Sequence, residues 1–136
     1  SLTLRTFVLQ SKQKLKDKLE LFLNHDEIGM SKDQYLRMCE QTGEEIDWEK
    51  CPPEIEDFPE SIIRALNIFE SLGVRVYPDV GYVGRDYTNL DLLYNVYFVE
   101  KHQEDWIFEL LLFLDSRAIQ ESQKRMKAEM DRIKRK

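Results

Sequence analysis

Three N-capping signatures predict where helices start along this chain, and they constrain the predicted fold more than any other feature. Each pairs a capping side chain with a polar or acidic one three residues later: Ser31 with Gln34, Asp57 with Glu60, and Thr88 with Asp91. An apolar run with helical spacing follows each signature. Gly43 and Gly73 then mark two helix ends. These signals predict three helices.

Two further segments have helical spacing without such a signature. Residues 2–24 form the first, and the second begins near Glu104 with the apolar run "WIFELLLFL" at 106–114, which predicts a central buried helix. The stretch "VRVYP" at 74–78 alternates like a short extended piece, but it has no obvious partner strand. We therefore predict an all-α fold: a small bundle of four to five helices with a long, basic C-terminal helix.

The chain divides by pattern into three parts: an N-terminal helix at 1–29, a helical domain at 30–123 and a basic helical tail at 124–136. Met30-Ser31 resembles a translation start, so the first part is either an appendage or fusion remnant, or a native helix that completes the core. We favour the second interpretation, because an amphipathic helix must bury its apolar face somewhere.

Charge is strongly segregated along the chain. The segment 124–136 has a net charge of +5 in a chain of net charge -6, so the other 123 residues carry -11. Ile119, Met126 and Ile133 recur every seven residues and form a thin apolar seam beside these bases. The tail is therefore either a solvated helix end or a partner-binding arm, with self-association also open. Its candidate contacts are Arg125, Arg132 and Arg135.

The connector at 44–60 is the acidic complement of the tail, with eight acidic residues and one lysine. Two interpretations remain open for it. It is either a solvated linker, or a docking strip for a basic partner or for the basic tail of another copy of the chain.

The segment "YPDVGYVGRDYTN" at 77–89 is the least ordinary stretch. Its two glycines do not form a dinucleotide or phosphate-binding motif. Either the glycines allow a tight surface loop that tyrosines pin in place, or the loop contacts a protein, since Tyr and Arg favour interfaces. We predict the second, with Arg85 reaching outwards. The candidate partner-binding residues are Tyr77, Tyr82, Arg85 and Tyr87.

Catalytic and metal sites have little support in the sequence. The soft ligands His25, Cys39, Cys51 and His102 lack zinc-site spacing, so we predict no metal, cofactor or catalytic residue. No apolar run is long enough for a membrane span, and two cysteines fit a reducing compartment. We expect a cytoplasmic protein without membrane contact. The tail lacks aromatic residues for base stacking, which makes nucleic acid an unfavoured partner.

From Met30 onward the chain resembles the small acidic helical proteins that assemble heads or tails of tailed bacteriophages. The stretches "MSKDQYLRMCEQTGEEIDWEKCPPEIEDFP", "GYVGRDYTNLDLL" and "LDSRAIQESQKRMKAEMDRIKRK" suggest this in size, charge and helix layout. The resemblance implies a non-enzymatic assembly factor or chaperone that binds a phage structural or assembly protein in the host cytoplasm. The alternative is a small regulator that binds transcription machinery or nucleic acid through its basic arm.

Overall fold

The structure is a computed structural model that describes residues 2–24 and 29–135. The chain forms two compact units, which we call the N-terminal unit (residues 1–59) and the C-terminal unit (residues 60–136). The first helix thus belongs to the same unit as the helix that follows Ser31. The boundaries predicted at residues 30 and 124 stay predictions.

The N-terminal unit contains helices α1 (Leu2–Leu23) and α2 (Lys32–Thr42) and a 3-10 turn at Ile55–Asp57. The first capping signature is confirmed, because Ser31 Oγ accepts from the Gln34 amide at 3.3 Å and Gln34 Oε1 accepts from the Ser31 amide at 2.9 Å. Gly43 ends α2 with a φ of 73°, a left-handed conformation that glycine adopts at little cost. Local side-chain chemistry therefore sets both ends of α2.

The second capping signature was predicted to start a helix, and this prediction is wrong because Asp57 bonds a different backbone amide. Asp57 Oδ2 accepts from the Glu54 amide at 2.9 Å, so Asp57 caps the 3-10 turn and not the following helix. Asp57 also pairs with Lys32 Nζ at 2.9 Å. The Glu54 amide and the Lys32 ammonium together lower the pKa of Asp57. Asp57 thus ties the acidic connector to the start of α2.

The core of the N-terminal unit includes Leu19 of α1. Leu19 is fully buried, and the Phe22 ring meets the Phe58 ring edge-on at 5.6 Å between centroids. The other buried residues in the described part of the unit are Cys39, Cys51, Pro52 and Phe58. Helix α1 therefore contributes both to the core and to an aromatic contact of its unit.

The C-terminal unit contains helices α3 (Glu60–Ser71), α4 (Leu90–Val96) and α5 (Glu104–Lys134), with a 3-10 turn at Lys101–Gln103. The predicted central helix is confirmed, since the first half of α5 is buried against α3. The buried apolar residues are Ile62, Ala65, Ile68, Phe69, Leu72, Tyr94, Ile107, Leu110, Leu111 and Leu114. None of the helices in the described ranges is long and apolar enough to cross a bilayer.

The prediction of an all-α fold is wrong, although the chain is mostly helical and its C-terminal helix is long. Strands β1 (Gly73–Tyr77) and β2 (Gly81–Asp86) pair antiparallel into a hairpin, which we call the hairpin (residues 73–86). The missing partner of "VRVYP" is the glycine-rich loop itself. Two glycines and an aspartate hide its strand character, because Gly and Asp are rare in strands.

The turn of the hairpin explains its first glycine. The Val80 amide donates to the Tyr77 carbonyl at 3.2 Å, which closes a four-residue turn with Pro78 at its second position. Gly81 follows with a φ of 85°. The connection between the paired residues Tyr77 and Gly81 is three residues long, a common hairpin length, and glycine adopts this left-handed φ at little cost. The sequence "YPDVG" therefore encodes a hairpin turn.

The third capping signature is also wrong. The residue before α4 is Asn89, and no side chain caps the helix there. Thr88 Oγ1 instead donates to Asp86 Oδ1 at 2.6 Å, and the Thr88 amide donates to the same oxygen at 3.0 Å. Thr88 therefore closes the end of β2 and does not start α4.

Candidate functional site

A buried carboxylate holds the hairpin to α5. Asp115 lies on α5 and is 7% exposed. Its Oδ1 accepts from Tyr82 Oη at 2.5 Å, and its Oδ2 accepts from Tyr87 Oη at 2.7 Å. The Arg85 amide donates to both carboxylate oxygens, at 3.2 and 3.0 Å. Three donors thus converge on one α5 side chain, two from β2 and one from the residue just after it. We call Asp115 with Tyr82, Arg85 and Tyr87 the Asp115 network.

Arg85 points into the unit and does not reach outwards as predicted. Its guanidinium carbon lies 4.0 Å from the centroid of the Phe69 ring and 5.3 Å from that of the Tyr82 ring. Its Nε donates to the Phe69 carbonyl at 3.1 Å, and its Nη1 donates to Tyr82 Oη at 3.0 Å. Arg85 therefore joins α3, β2 and the Asp115 network. Its cation also offsets the buried negative charge.

The electrostatics of this cluster favour an ionised Asp115 and neutral tyrosines. Burial opposes ionisation of Asp115, but hydrogen bonds from Tyr82, Tyr87 and the Arg85 amide outweigh it and lower its pKa. Burial and the hydrogen bond to Asp115 raise the pKa of Tyr82 to about 12 and raise that of Tyr87 as well. At neutral pH the network is one anion held by neutral donors and one guanidinium.

Two glycines allow β2 to approach α5 this closely. An added Cβ on Gly84, whose φ is 131°, would lie 3.3 Å from Asp115 Oδ2. An added Cβ on Gly81 would lie 2.6 Å from Met126 Sδ. The Tyr82 amide also donates to Ser122 Oγ at 3.3 Å. Backbone conformation therefore favours glycine at both positions, and the contact with Asp115 leaves little room for a side chain at Gly84.

Strand β1 is presented to solvent by this arrangement. All five of its residues are exposed, whereas β2 packs on α5. Val74, Val76 and Tyr77 are 55%, 61% and 54% exposed, and Val80 in the turn is 55% exposed. In the described part of the chain the sheet has only two strands, so no strand pairs with the outer edge of β1. We call the outer edge of β1, together with the side chains of residues 73–77, the β1 edge.

The predicted partner-binding residues separate into three groups. Tyr77 lies on the β1 edge. Tyr82, Arg85 and Tyr87 lie in the Asp115 network, where they position the hairpin. Arg125 and Arg132 are exposed on α5, and Arg135 is exposed just after the end of that helix. The structure adds Val74, Val76 and Val80 to the exposed surface, and Asp115 to the support beneath it, none of which the sequence analysis selected.

Alkaline pH is expected to weaken the attachment of the hairpin. A tyrosine in an unfolded chain has a pKa of about 10. Because folding raises the pKa of Tyr82, its contribution to stability is complete below pH 10 and is lost as the pH rises through about 12. Urea unfolding of the intact chain and of Tyr82→Phe across this range tests the expectation. The intact chain should lose stability more steeply, and two parallel curves would contradict it.

A cleft in the N-terminal unit also brings titratable groups together. It has a volume of about 230 Å³ and is lined by Lys18, Lys32, Trp48, Cys51, Pro52, Pro53 and Asp57. Lys32 pairs with Asp57, and burial raises the pKa of the Cys51 thiol, which opposes the thiolate that a nucleophile needs. The cleft therefore contains a paired cation and a protonated thiol.

Metal-ligand geometry is absent from the residues that the structure describes. Within 2–24 and 29–135, no three His, Cys, Asp or Glu side chains come together as a metal-binding group. His25 lies outside the described residues. The remaining candidates Cys39 and Cys51 are free buried thiols of the N-terminal unit, and His102 lies beside Glu100 in the C-terminal unit.

Comparisons with protein-family models, with curated proteins and with solved structures each give no match for this chain. The site therefore has to be interpreted from its own geometry.

Proposed function

We propose that this chain is a non-enzymatic protein-interaction factor that binds its partner through the β1 edge. The observation that carries the proposal is the contrast between the two strands of the hairpin. Strand β2 is fastened to α5 by the Asp115 network, and β1 is exposed along its whole length. A fixed strand with an open edge is ready to pair with an extended segment of another protein.

The side chains of the β1 edge favour contact with another protein. Natural proteins usually protect an open edge with lysine, proline or a covering element. Here three apolar side chains, Val74, Val76 and Tyr77, are more than half exposed on one short strand. The only charge within β1 is Arg75. We propose that an extended partner segment adds a third strand here, with apolar side chains against the valines and an acidic one near Arg75.

The resemblance to small phage assembly proteins supports a more specific form of this proposal. We propose that the partner is a structural or assembly protein of a tailed bacteriophage, and that the chain acts on it as an assembly factor or chaperone in the host cytoplasm. Such a role requires reversible binding without chemistry. A short edge strand meets that requirement, because its backbone hydrogen bonds can form without rearrangement of the hairpin.

A pair of valine substitutions tests the proposal. Val76→Lys places a charge on the β1 edge and is expected to weaken partner binding about tenfold or more, because lysine blocks strand addition. Val96→Lys is the matched control, since Val96 is 62% exposed against 61% for Val76, in the same unit. Both substitutions should change stability by no more than about 0.5 kcal/mol.

The measurement uses the intact chain with a benzophenone amino acid at position 77, crosslinked by light in cells that produce the candidate partner. The crosslinked protein is identified, and its yield is compared between the two lysine variants. Equal yields would contradict the proposal. A self-crosslink that Val76→Lys removes would assign the β1 edge to pairing between two copies of the chain.

A further inference from the structure

The last turns of α5 extend beyond the part of the helix that the hairpin covers. Met126 of α5 lies next to Gly81 of the hairpin. Every residue from Lys127 to Arg135, which we call the α5 extension, is exposed. In proteins, most of the stability of a helix comes from packing of its amphipathic face. The sequence of the α5 extension is therefore informative about what could pack on it.

The apolar stripe of α5 continues into the extension. Ile119, Ser122 and Met126 lie along the face that meets β2. Met130 and Ile133 follow Met126 at intervals of four and three residues, so they lie on the same face. They are 55% and 60% exposed. The apolar stripe of α5 is thus covered by β2 as far as Met126 and exposed to solvent in the α5 extension.

Basic residues flank this uncovered stripe on both sides. At 3.6 residues per turn, Lys127 and Lys134 lie along one flank, and Arg125 and Arg132 lie along the other. Glu129 pairs with Arg132 on the second flank. Asp131 borders the first flank, but Lys127 and Lys134 lie closer to the stripe than Asp131 does. The extension therefore has the pattern of one helix of a two-helix pair whose partner carries the opposite charges.

We infer that the α5 extension docks an amphipathic helix with acidic flanks, supplied by a partner protein. The partner's apolar residues contact Met130 and Ile133, and its carboxylates face Lys127 and Lys134. A second α5 extension is a poor occupant, because both helices would carry the same positive flanks. Nucleic acid is also a poor occupant, because the segment offers no aromatic side chain for stacking and turns an apolar stripe towards the ligand.

The experiment measures binding of the intact chain to a synthetic acidic helical peptide with leucine at the seam positions and glutamate beside them. A scrambled peptide of the same composition and net charge is the first control. We expect the ordered peptide to bind at least about tenfold more tightly, since only the ordered one can cover the stripe. The double variant Met130→Ser/Ile133→Ser should lose this difference.

Charge variants provide a second, matched comparison. Lys127→Gln/Lys134→Gln removes two positive charges beside the stripe, and Lys124→Gln/Arg135→Gln removes two from the opposite face of the helix. Both doubles change the net charge equally. The first is expected to weaken peptide binding about tenfold and the second by no more than about threefold. All of these positions except Lys124 lie in the exposed extension, and circular dichroism checks that the helices remain.

Four results would overturn the inference. They are equal binding of ordered and scrambled peptide, tighter binding of duplex DNA than of the peptide, tighter binding of anionic lipid vesicles, or self-association that Met130→Ser/Ile133→Ser abolishes. The extension and the β1 edge are different surfaces, so Val76→Lys should leave peptide binding unchanged. Failure of the proposed strand addition is therefore distinguishable from failure of helix docking.

Discussion

Replacing Asp115 with alanine is expected to lower the free energy of unfolding by about 3–5 kcal/mol, the range found when one partner of a buried charged network is removed. The variant leaves Tyr82 Oη, Tyr87 Oη and the Arg85 amide without their acceptor. It also removes the carboxylate that interacts electrostatically with Arg85. The hairpin should then separate from α5, and the melting temperature should fall by roughly 10–20 °C.

Asp131 provides the control for this prediction. It lies on the same helix and is exposed, so Asp131→Ala should change stability by no more than about 0.5 kcal/mol. Urea unfolding followed by circular dichroism measures both variants. A loss below about 1 kcal/mol in Asp115→Ala would show that the Asp115 network does not hold the hairpin. Partner binding through the β1 edge should weaken together with stability in this variant.

The effect of Asp115 should also depend on pH in a defined direction. Folding lowers the pKa of Asp115, so its contribution to stability is present above the unfolded pKa of about 4 and is lost as the pH falls through the folded value. The Asp115→Asn variant has no such group. The stability difference between the intact chain and Asp115→Asn is therefore expected to shrink as the pH is lowered below about 4.

The helices were predictable where a local signal determines them. Ser31 and Gln34 bond each other's backbone amides across one turn, so their chemistry can be read from four residues. The Asp57 and Thr88 signatures have the same spacing but bond elsewhere. Asp57 binds the Glu54 amide, and Thr88 binds Asp86. A capping pattern in the sequence shows which side-chain hydrogen bonds are possible. Which of them form depends on the neighbouring residues.

The burial of α4 shows the same limit. The spacing of Leu90, Leu93 and Val96 predicts that they face the core, but Val96 is 62% exposed and the nearby Tyr94 is buried. A helix of seven residues makes less than two full turns, which is too short for the sequence pattern to define a buried face. Packing against α3 sets its rotation. Periodicity is therefore informative for long helices such as α5 and weak for this one.

The hairpin and its support could not be derived from periodicity for a different reason. The donors at Tyr82, Arg85 and Tyr87 are about 30 residues from their acceptor Asp115, so no local pattern links them. A carboxylate directly after the apolar run at 106–114 was the one available signal, since a buried acid requires partners. The turn "YPDVG" was the signal for the strands themselves.

Replacing Leu19 with alanine is expected to destabilise the N-terminal unit by about 2–5 kcal/mol, the range found for a leucine removed from a protein core. Leu19 is fully buried, so the substitution leaves a cavity. The matched control is Leu9→Ala in the same helix, because Leu9 is 59% exposed and its loss should have an effect within about 0.5 kcal/mol. The comparison tests whether α1 is part of the folded unit or an appendage.

Trp48 allows this unit to be followed separately. The chain has two tryptophans, Trp48 in the N-terminal unit and Trp106 in the C-terminal unit, so Trp48 fluorescence in a Trp106→Phe background reports on the N-terminal unit. Leu19→Ala should shift the Trp48 transition to lower urea, and Leu9→Ala should leave it in place. If both variants unfold together with the parent, α1 is an appendage, and a chain that starts at Met30 should keep the parent stability. If only Leu19→Ala lowers the urea midpoint of the Trp48 transition, the chain that starts at Met30 should lose this transition. That chain lacks both Leu19 and the Phe22 ring that packs on Phe58.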